Sequence, residues 1–241
     1  MARLSGRRVL VTGASSGIGH AACRRLREQG ALVAGMARRE EALKALAEAA
    51  GVVPVPADVT DVTASADAVR RAADEMGGLD GVVNAAGLVR PSPIADADPA
   101  DWRRMYEVNV LGLLHVTQAA IEFLREAGRG DVVNLSSMSG RRLHSPELGV
   151  YAASKASVHA LSEALRRELR GDRIRVSVLA PGLVDTPIFE GLEDPTASRL
   201  RTQAPTAGLR AEDVAGAVAD VLAAPEHLVH VEVAMLSLDQ G

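Results

Sequence analysis

The chain has 241 residues, a formal net charge of −4 and one cysteine. That length suits one α/β domain, and the slight acidity offers no attraction to nucleic acid or to an anionic membrane surface. The lone Cys23 cannot close an internal disulfide, so a reducing, cytoplasmic setting is expected.

The basic opening Met1–Arg8 runs directly into the apolar Val9–Val11 and a glycine turn, which is not the pattern of a cleaved leader. No stretch approaches the roughly 20 apolar residues that span a bilayer. Aromatic residues are 2% of the chain and hydrophobic residues 47%, so Val, Leu, Ile and Ala must fill the interior. Strands are predicted at Arg8–Thr12, Ala31–Ala37, Val52–Ala57, Gly81–Asn84, Asp131–Ser136, Ile174–Ala180 and Val231–Leu236. Between them, helical periodicity predicts Gly17–Gln29, Glu40–Ala50, Thr63–Met76, Pro99–Ala127, Val150–Leu169 and Ala211–Ala224. Asp98 and Pro99 make a good cap and first helical residue for the fourth of these. The alternation implies right-handed crossovers and a doubly wound, mostly parallel α/β sheet in a single domain, 1–241. The segment Thr186–Leu209 breaks the rhythm with Pro187, Pro195 and Pro205 beyond a strand's carboxyl end. It reads either as a loop covering a substrate or as a surface excursion with a short helix.

Immediately after the first strand comes Thr12-Gly13-Ala14-Ser15-Ser16-Gly17-Ile18-Gly19, then a helix. Glycines let backbone turn tightly and approach a pyrophosphate, and the helix that follows aims free N–H groups at the anion. In that setting Gly13, Ser15, Ser16, Gly17, Ile18 and Gly19 read as a dinucleotide turn of a Rossmann-like fold. An acid at the end of the second strand would hold the ribose of NAD. Here the strand ends Met36-Ala37-Arg38-Arg39. Two guanidinium groups suit a 2′-phosphate, which favours NADP(H) over NAD(H). The alternatives are that Arg38 and Arg39 are a solvated helix start, or that Glu40 or Glu41 binds the ribose from one turn too late.

Tyr151 and Lys155 stand four apart at the head of a helix and share one face. A neighbouring ammonium favours the phenolate, so a lowered tyrosine pKa is expected, making Tyr151 a general acid or base. Taken alone, such a pair more often belongs to the surface than to a catalytic site.

In this order the motifs resemble the short-chain dehydrogenase/reductase family over essentially the whole chain. Thr12–Gly19 fits TGxxxGIG, and Asn84-Ala85-Ala86-Gly87 fits NNAG apart from one alanine. Asn109 falls in the long central helix, Asn134–Ser137 with Gly140 fits the serine-bearing strand end, and Tyr151–Lys155 is the YxxxK pair, followed by Pro181-Gly182. The resemblance implies that Tyr151 exchanges a proton with a carbonyl or alcohol oxygen and that Ser137 hydrogen-bonds the same oxygen. It implies that Lys155 tunes Tyr151 and binds the nicotinamide ribose, and that Asn109 holds a relay water. Asp58 and Val59 would contact adenine, Asn84, Ala85, Ala86 and Gly87 would line the nucleotide floor, and Pro181, Gly182, Val184 and Thr186 would embrace the nicotinamide. Ser137 lies 14 residues before Tyr151, one more than is usual, which implies an insertion in Arg141–Gly149 beside the substrate.

Glu212–Ala215, Ala224–His227, Val231-Glu232 and Asp239-Gln240 are similar to NADP-dependent dehydrogenases of small hydroxy acids and of a clavulanate-pathway aldehyde. Family resemblance also implies a homotetramer or homodimer packed through Pro99–Ala127 and Val150–Leu169. A small-molecule carbonyl or alcohol is the expected partner, with no metal, since the six histidines lack ligand spacing. Arg141, Arg142 and His144 could face substrate from the insertion-bearing loop. The rival readings are a non-catalytic NADP-binding regulator, a nucleotide-sugar epimerase or dehydratase, and a ketoreductase of carrier-bound thioesters. The second of these needs more than the roughly 55 residues after Thr186, and the third needs a basic docking face.

Overall fold

Strand pairing follows the apolar runs closely. In chain order the strands are β1 (Arg8–Thr12), β2 (Leu32–Ala37), β3 (Val53–Pro56), β4 (Gly81–Asn84), β5 (Gly130–Leu135), β6 (Ile174–Pro181), β7 (Val184–Asp185), β8 (Leu209–Arg210) and β9 (Glu232–Met235). Seven of them form one sheet in the order β3-β2-β1-β4-β5-β6-β9, and every pairing is parallel. The computed structural model describes residues 3–240. Met1, Ala2 and Gly241, with the outer ends of the expected 1–241 domain and the start of its basic opening, lie outside the described residues.

The helices are α1 (Gly17–Glu28), α2 (Glu40–Ala50), α3 (Val62–Met76), α4 (Pro99–Tyr106), α5 (Gly112–Glu126), α6 (Gly149–Glu168), α7 (Pro195–Ala207) and α8 (Ala211–Leu222). Side chains alternate across a strand, so β1 sends Val9 and Val11 to one core and Leu10 to the other. The first core packs α1, α2 and α8, and the second packs α3 and α5. Leu10 is fully buried, and truncating such a residue to alanine costs about 2–5 kcal/mol. No helix among the described residues is long and apolar enough to cross a membrane.

Four features differ from the sequence reading or add to it. The helix expected over Pro99–Ala127 is interrupted by a π-helical turn, Glu107–Leu111, whose following amide, Gly112 N–H, donates to the Glu107 carbonyl. Gly112 sits hard against β3's exit, where a Cβ would come 2.7 Å from Val59 Cγ2. The segment after β6 contains a 13-residue helix, α7, capped by Asp194 Oδ1, which accepts from Ala197 N–H at 3.0 Å. Its two roots are joined by β7 and β8, with Val184 opposite Leu209. At the amino ends of the strands, Arg7 and Arg8 both pair with Asp80, and Arg7 and Arg175 with Asp131. The carboxyl ends are left to the turns that carry the motifs, and β1 lies between β2 and β4 where the winding reverses, the usual place for a ligand crevice.

Candidate active site

The end of β5 and the start of α6 are bound together through backbone. Ser136 Oγ donates to the Lys155 carbonyl at 2.9 Å. Gly140 lies so close to α6 that a Cβ would come 2.8 Å from the Lys155 carbonyl carbon. With Ser136 tied to the helix, Ser137 is the serine turned toward the Tyr151 phenol, and its Oγ also accepts from Ser139 N–H at 3.1 Å. One turn along α6, Lys155 is buried and its Nζ donates to the Leu135 carbonyl at 2.8 Å.

Burial dominates the protonation of both groups. It pushes the Tyr151 phenol up to about 12, with the Ser137 hydroxyl pulling the other way, and it brings the Lys155 ammonium down to about 8. This corrects the expectation of a lowered tyrosine pKa. The ammonium is directed to the Leu135 carbonyl, and removing the phenol from water outweighs the help it could give.

Asn109 sits within the π turn, buried. Its Nδ2 donates to the Leu88 carbonyl at 2.9 Å and to Ser154 Oγ at 3.0 Å, while Oδ1 accepts from Leu88 N–H at 2.7 Å. Both amide hydrogens are committed to holding the segment after β4 against α6, so the expected relay role has no free N–H on this side chain. Gly87 lies between the two groups, at a Cβ distance of 3.7 Å from both Asn109 Oδ1 and Lys155 Nζ.

The glycine turn is built as its sequence requires. Gly13 has φ +68°, and a Cβ there would come 2.9 Å from the backbone of Ala85 and Ala86; at Gly19 it would meet the Gly13 carbonyl at 2.5 Å. Thr12 Oγ1 accepts from both Ala85 N–H and Ala86 N–H, at 3.1 and 3.0 Å, which explains why alanine is accommodated at position 85. Asn84 turns inward instead of lining this floor. Its Nδ2 donates to Thr117 Oγ1 at 2.9 Å and to Asn134 Oδ1 at 2.8 Å, and Asn134 passes the chain on to Ser162. Any contact of Asn84 with a nucleotide therefore falls to its backbone.

Ser16 precedes α1 without a side-chain cap, and the helix has no acid in its first turn, so its leading N–H groups face the crevice uncompensated by side chains. Beside it, exposed Arg39 donates to the Ser15 carbonyl and hydroxyl at 3.1 Å, and exposed Arg38 stands 3.7 Å from Asp58. Burial opposes ionisation of Asp58, yet hydrogen bonds from Thr60 and the nearby Arg38 and Arg104 hold its carboxyl below the usual range. Val59 is buried, and its carbonyl accepts from Ser65 Oγ.

Beyond β6, Val184 is buried and Thr186 rests over Gly17, where a Cβ would come 3.2 Å from Thr186 Cβ. The excursion then joins Tyr151 in one apolar cluster. Val89, Leu148, Phe189 and Ala197 form an apolar cluster with Tyr151, Leu183, Ile188, Leu192 and Leu200 packed against it. Arg141 is paired with Glu232 at 3.2 Å, and Arg142 and His144 are exposed.

Residues 7–197 match the profile described as short chain dehydrogenase. The chain belongs to the short-chain dehydrogenase/reductase family. This short-chain dehydrogenase is 35% identical to an uncharacterized oxidoreductase of Staphylococcus epidermidis over 95% of this chain and 96% of that one. It is 37% identical to dehydrogenase/reductase SDR family member 11 of Bos taurus, covering 100% of this chain and 99% of the relative. Among solved structures, it superposes on a closed form of serine dehydrogenase complexed with NADP+ with a TM-score of 0.90 and 32% identity, covering 97% of this chain and 96% of that chain. A Burkholderia cenocepacia short chain dehydrogenase in complex with NADP gives a TM-score of 0.87 at 32% identity, covering 99% and 100%. The protein is accordingly an oxidoreductase.

Within the short-chain dehydrogenase fold, the glycine turn follows β1, Asn84–Gly87 run on from the end of β4, Ser137 follows β5 and Pro181–Thr186 run on from the end of β6, with Tyr151 and Lys155 on α6 and Asn109 in the π turn, while Arg38, Arg39, Asp58 and Val59 follow β2 and β3. Three participants were not foreseen. Ser154, inside the YxxxK motif, donates to the Tyr151 carbonyl at 2.7 Å and receives Asn109 Nδ2; its place between two motif residues was the available signal. His159, one turn beyond Lys155, lies 3.8 Å from Glu232, with burial lowering its pKa; four-residue spacing from Lys155 was its signal. Gln240 was noted only as part of the carboxyl-terminal Asp239-Gln240 pattern, which carries no sign of its contacts with Leu183 and Ala207.

Proposed function

We propose that this short-chain dehydrogenase reduces an uncharged, largely apolar aldehyde or ketone to the alcohol with NADPH. The observation that supports it best is the cluster of Ser137, Tyr151 and buried Lys155 beneath an apolar cover. The residues present fit a dinucleotide. The glycine cradle has no room for side chains, the head of α1 is free of acids, and Arg38 and Arg39 supply positive charge where a 2′-phosphate is recognised. Gly13, Ser15, Ser16, Gly17, Ile18 and Gly19 would hold the pyrophosphate, Asp58 and Val59 the adenine end, and Ala85, Ala86 and Gly87 with the Asn84 backbone the floor. Pro181, Gly182, Val184 and Thr186 would hold the nicotinamide side, and Lys155 its ribose. When bound, the nicotinamide supplies the hydride.

The chain supplies the proton and the setting. With its pKa pushed up to about 12, Tyr151 is a neutral phenol at physiological pH and serves as the general acid for the carbonyl oxygen. Ser137 donates a second hydrogen bond to that oxygen, and Ser136 and Gly140 keep Ser137 in register with α6. Lys155, with a pKa near 8, is largely charged at neutral pH and stabilises negative charge left on Tyr151. Asn109 fixes the floor of the site through Leu88 and Ser154. The likeness to serine dehydrogenase does not bring a charged substrate with it: the cluster that Tyr151 packs against is apolar, and Arg141 is already paired with Glu232.

The test is cofactor oxidation with NADPH and NADH across apolar ketones and aldehydes, β-keto acids and serine-like hydroxy acids, for wild type and Tyr151→Phe. NADPH-dependent turnover of the apolar group, lost in the variant while NADPH still binds, is expected. Tight NADPH binding with no turnover of any carbonyl would return the protein to the regulatory reading.

A further inference from the structure

The excursion that covers Tyr151 is held at both roots by one carboxamide. It leaves the body of the protein after Gly182 and returns at Gly208. Gln240, in the 3-10 turn Leu238–Gln240 that follows β9, reaches between the two points. Its Oε1 accepts from Leu183 N–H at 2.7 Å. Its Nε2 donates to the Leu183 carbonyl and to the Ala207 carbonyl, both at 2.9 Å, and shares Ser237 Oγ at 3.2 Å. Ser237 Oγ itself donates to the Ala207 carbonyl. The Leu183 carbonyl thus serves two donors, Gln240 Nε2 and Leu209 N–H, the latter also at 2.9 Å.

Steric detail agrees with this arrangement. A Cβ at residue 182 would come 2.1 Å from Gln240 Oε1, so glycine there is what lets the carboxamide approach. At the other root, a Cβ on Gly208 would come 2.5 Å from the Ala204 carbonyl and 3.2 Å from the Leu183 carbonyl. Ladder support between the roots is short, only the two-residue pairing of β7 with β8.

We infer that Gln240 is a positioning residue whose carboxamide ties the two roots of segment 183–207 together and so sets α7 in place over Tyr151. Gln240 does not touch the reacting groups. It acts through Leu183 and Ala207 on Phe189, Ala197 and Leu200, which belong with Tyr151 to one apolar cluster. That α7 covers a substrate rests on the reductase reading; the clasp itself does not.

Two variants separate the possibilities. Gln240→Leu keeps the bulk and removes every hydrogen bond, and Gln240→Asn keeps the chemistry but shortens the reach by one methylene. Losing several such bonds at once should speed amide hydrogen exchange in residues 195–207 by about tenfold or more, with exchange in β1, β4 and β5 unchanged. The carbonyl KM should rise about tenfold while kcat and the NADPH dissociation constant stay within about twofold. Unchanged exchange in 195–207 overturns the proposal. So does exchange that rises equally in the sheet, which would make Gln240 a general structural residue, and so does faster α7 exchange with an unaltered carbonyl KM. If the wild type turns over no carbonyl, the reductase reading has failed, and the exchange measurement still decides whether the clasp exists.

Discussion

At the amino ends of the strands, Arg7, Arg8 and Arg175 meet Asp80 and Asp131 at 2.6–3.1 Å. At the carboxyl ends, Ser137, Tyr151 and Lys155 share a cluster with no acid among them. Both sets are largely withdrawn from water, with Arg8 and Tyr151 keeping part of their surface exposed, yet burial acts on them differently. In the amino-end network each charge has an opposite charge and further hydrogen bonds; Arg175 Nη1 donates to three carbonyls, those of Ala224, Pro225 and Leu228. Desolvation there is outweighed by Asp131 and Asp80, and Arg7 is held more firmly charged than usual. Nothing comparable compensates Tyr151 and Lys155, so their protonation equilibria move instead. Matched charge makes structure; uncompensated polar groups are left available for chemistry.

The sharpest way to break this contrast is to exchange the expected consequences. Tyr151→Phe should lower turnover by about 10²–10⁴-fold and leave the unfolding free energy nearly unchanged. Asp131→Ala should do the opposite. Removing one partner of a buried ionic network costs about 3–5 kcal/mol, read as a lower denaturant midpoint, while turnover per folded molecule is retained. Activity lost without a loss of stability in Asp131→Ala would erase the division. A smaller effect is expected at the crevice rim, where Arg38→Ala with Arg39→Ala should reduce the preference for NADPH over NADH by about ten- to a hundredfold, the worth of one or two charged hydrogen bonds. An unchanged ratio of kcat/KM for the two cofactors would return both arginines to a solvent role.

The smallest effect is in stability against pH. Lys155, near 8 in the fold against an ordinary 10.5, binds fewer protons folded than unfolded between those values, so stability should rise with pH across that window. Tyr151, near 12 against an ordinary 10.0, holds its proton longer when folded, so stability should fall between pH 10 and 12. Urea midpoints should therefore climb from pH 8 to 10 and decline above it. Lys155→Met should flatten the climb.

How much of this was legible follows from where each signal resides. The seven sheet strands are short apolar runs bounded by turn residues, and all were found, with only Ala31, Val52, Ala57, Ser136, Val231 and Leu236 falling just outside the ladders. Tyr151 and Lys155 stand close in sequence, as do the residues of the glycine turn, so local spacing carried them. The π turn at Glu107–Leu111 escaped because one extra residue in a helix barely disturbs apolar periodicity. Helix α7 was only half legible, since Pro195 and Pro205 read as loop punctuation although Pro195 serves as its first residue. The rise in the Tyr151 pKa was misread because sequence reveals a neighbouring ammonium but not how deeply the phenol is buried. The inward turn of the Asn84 side chain escaped for the same reason: its partners Thr117 and Asn134 are 33 and 50 residues away.

Thr186 on Gly17 carries a kinetic consequence. The excursion touches the glycine turn through Thr186 as well as sharing a cluster with Tyr151, so on the reductase reading a dinucleotide seated along that turn would pass this chain on entering and leaving. Under the proposed function, ligand traffic through such a site would have a compulsory order. On the reductase reading the nucleotide would arrive first and depart last, with the small carbonyl and its alcohol exchanging in between, and opening of the excursion to exchange one nucleotide for the next would be the slow event of the cycle.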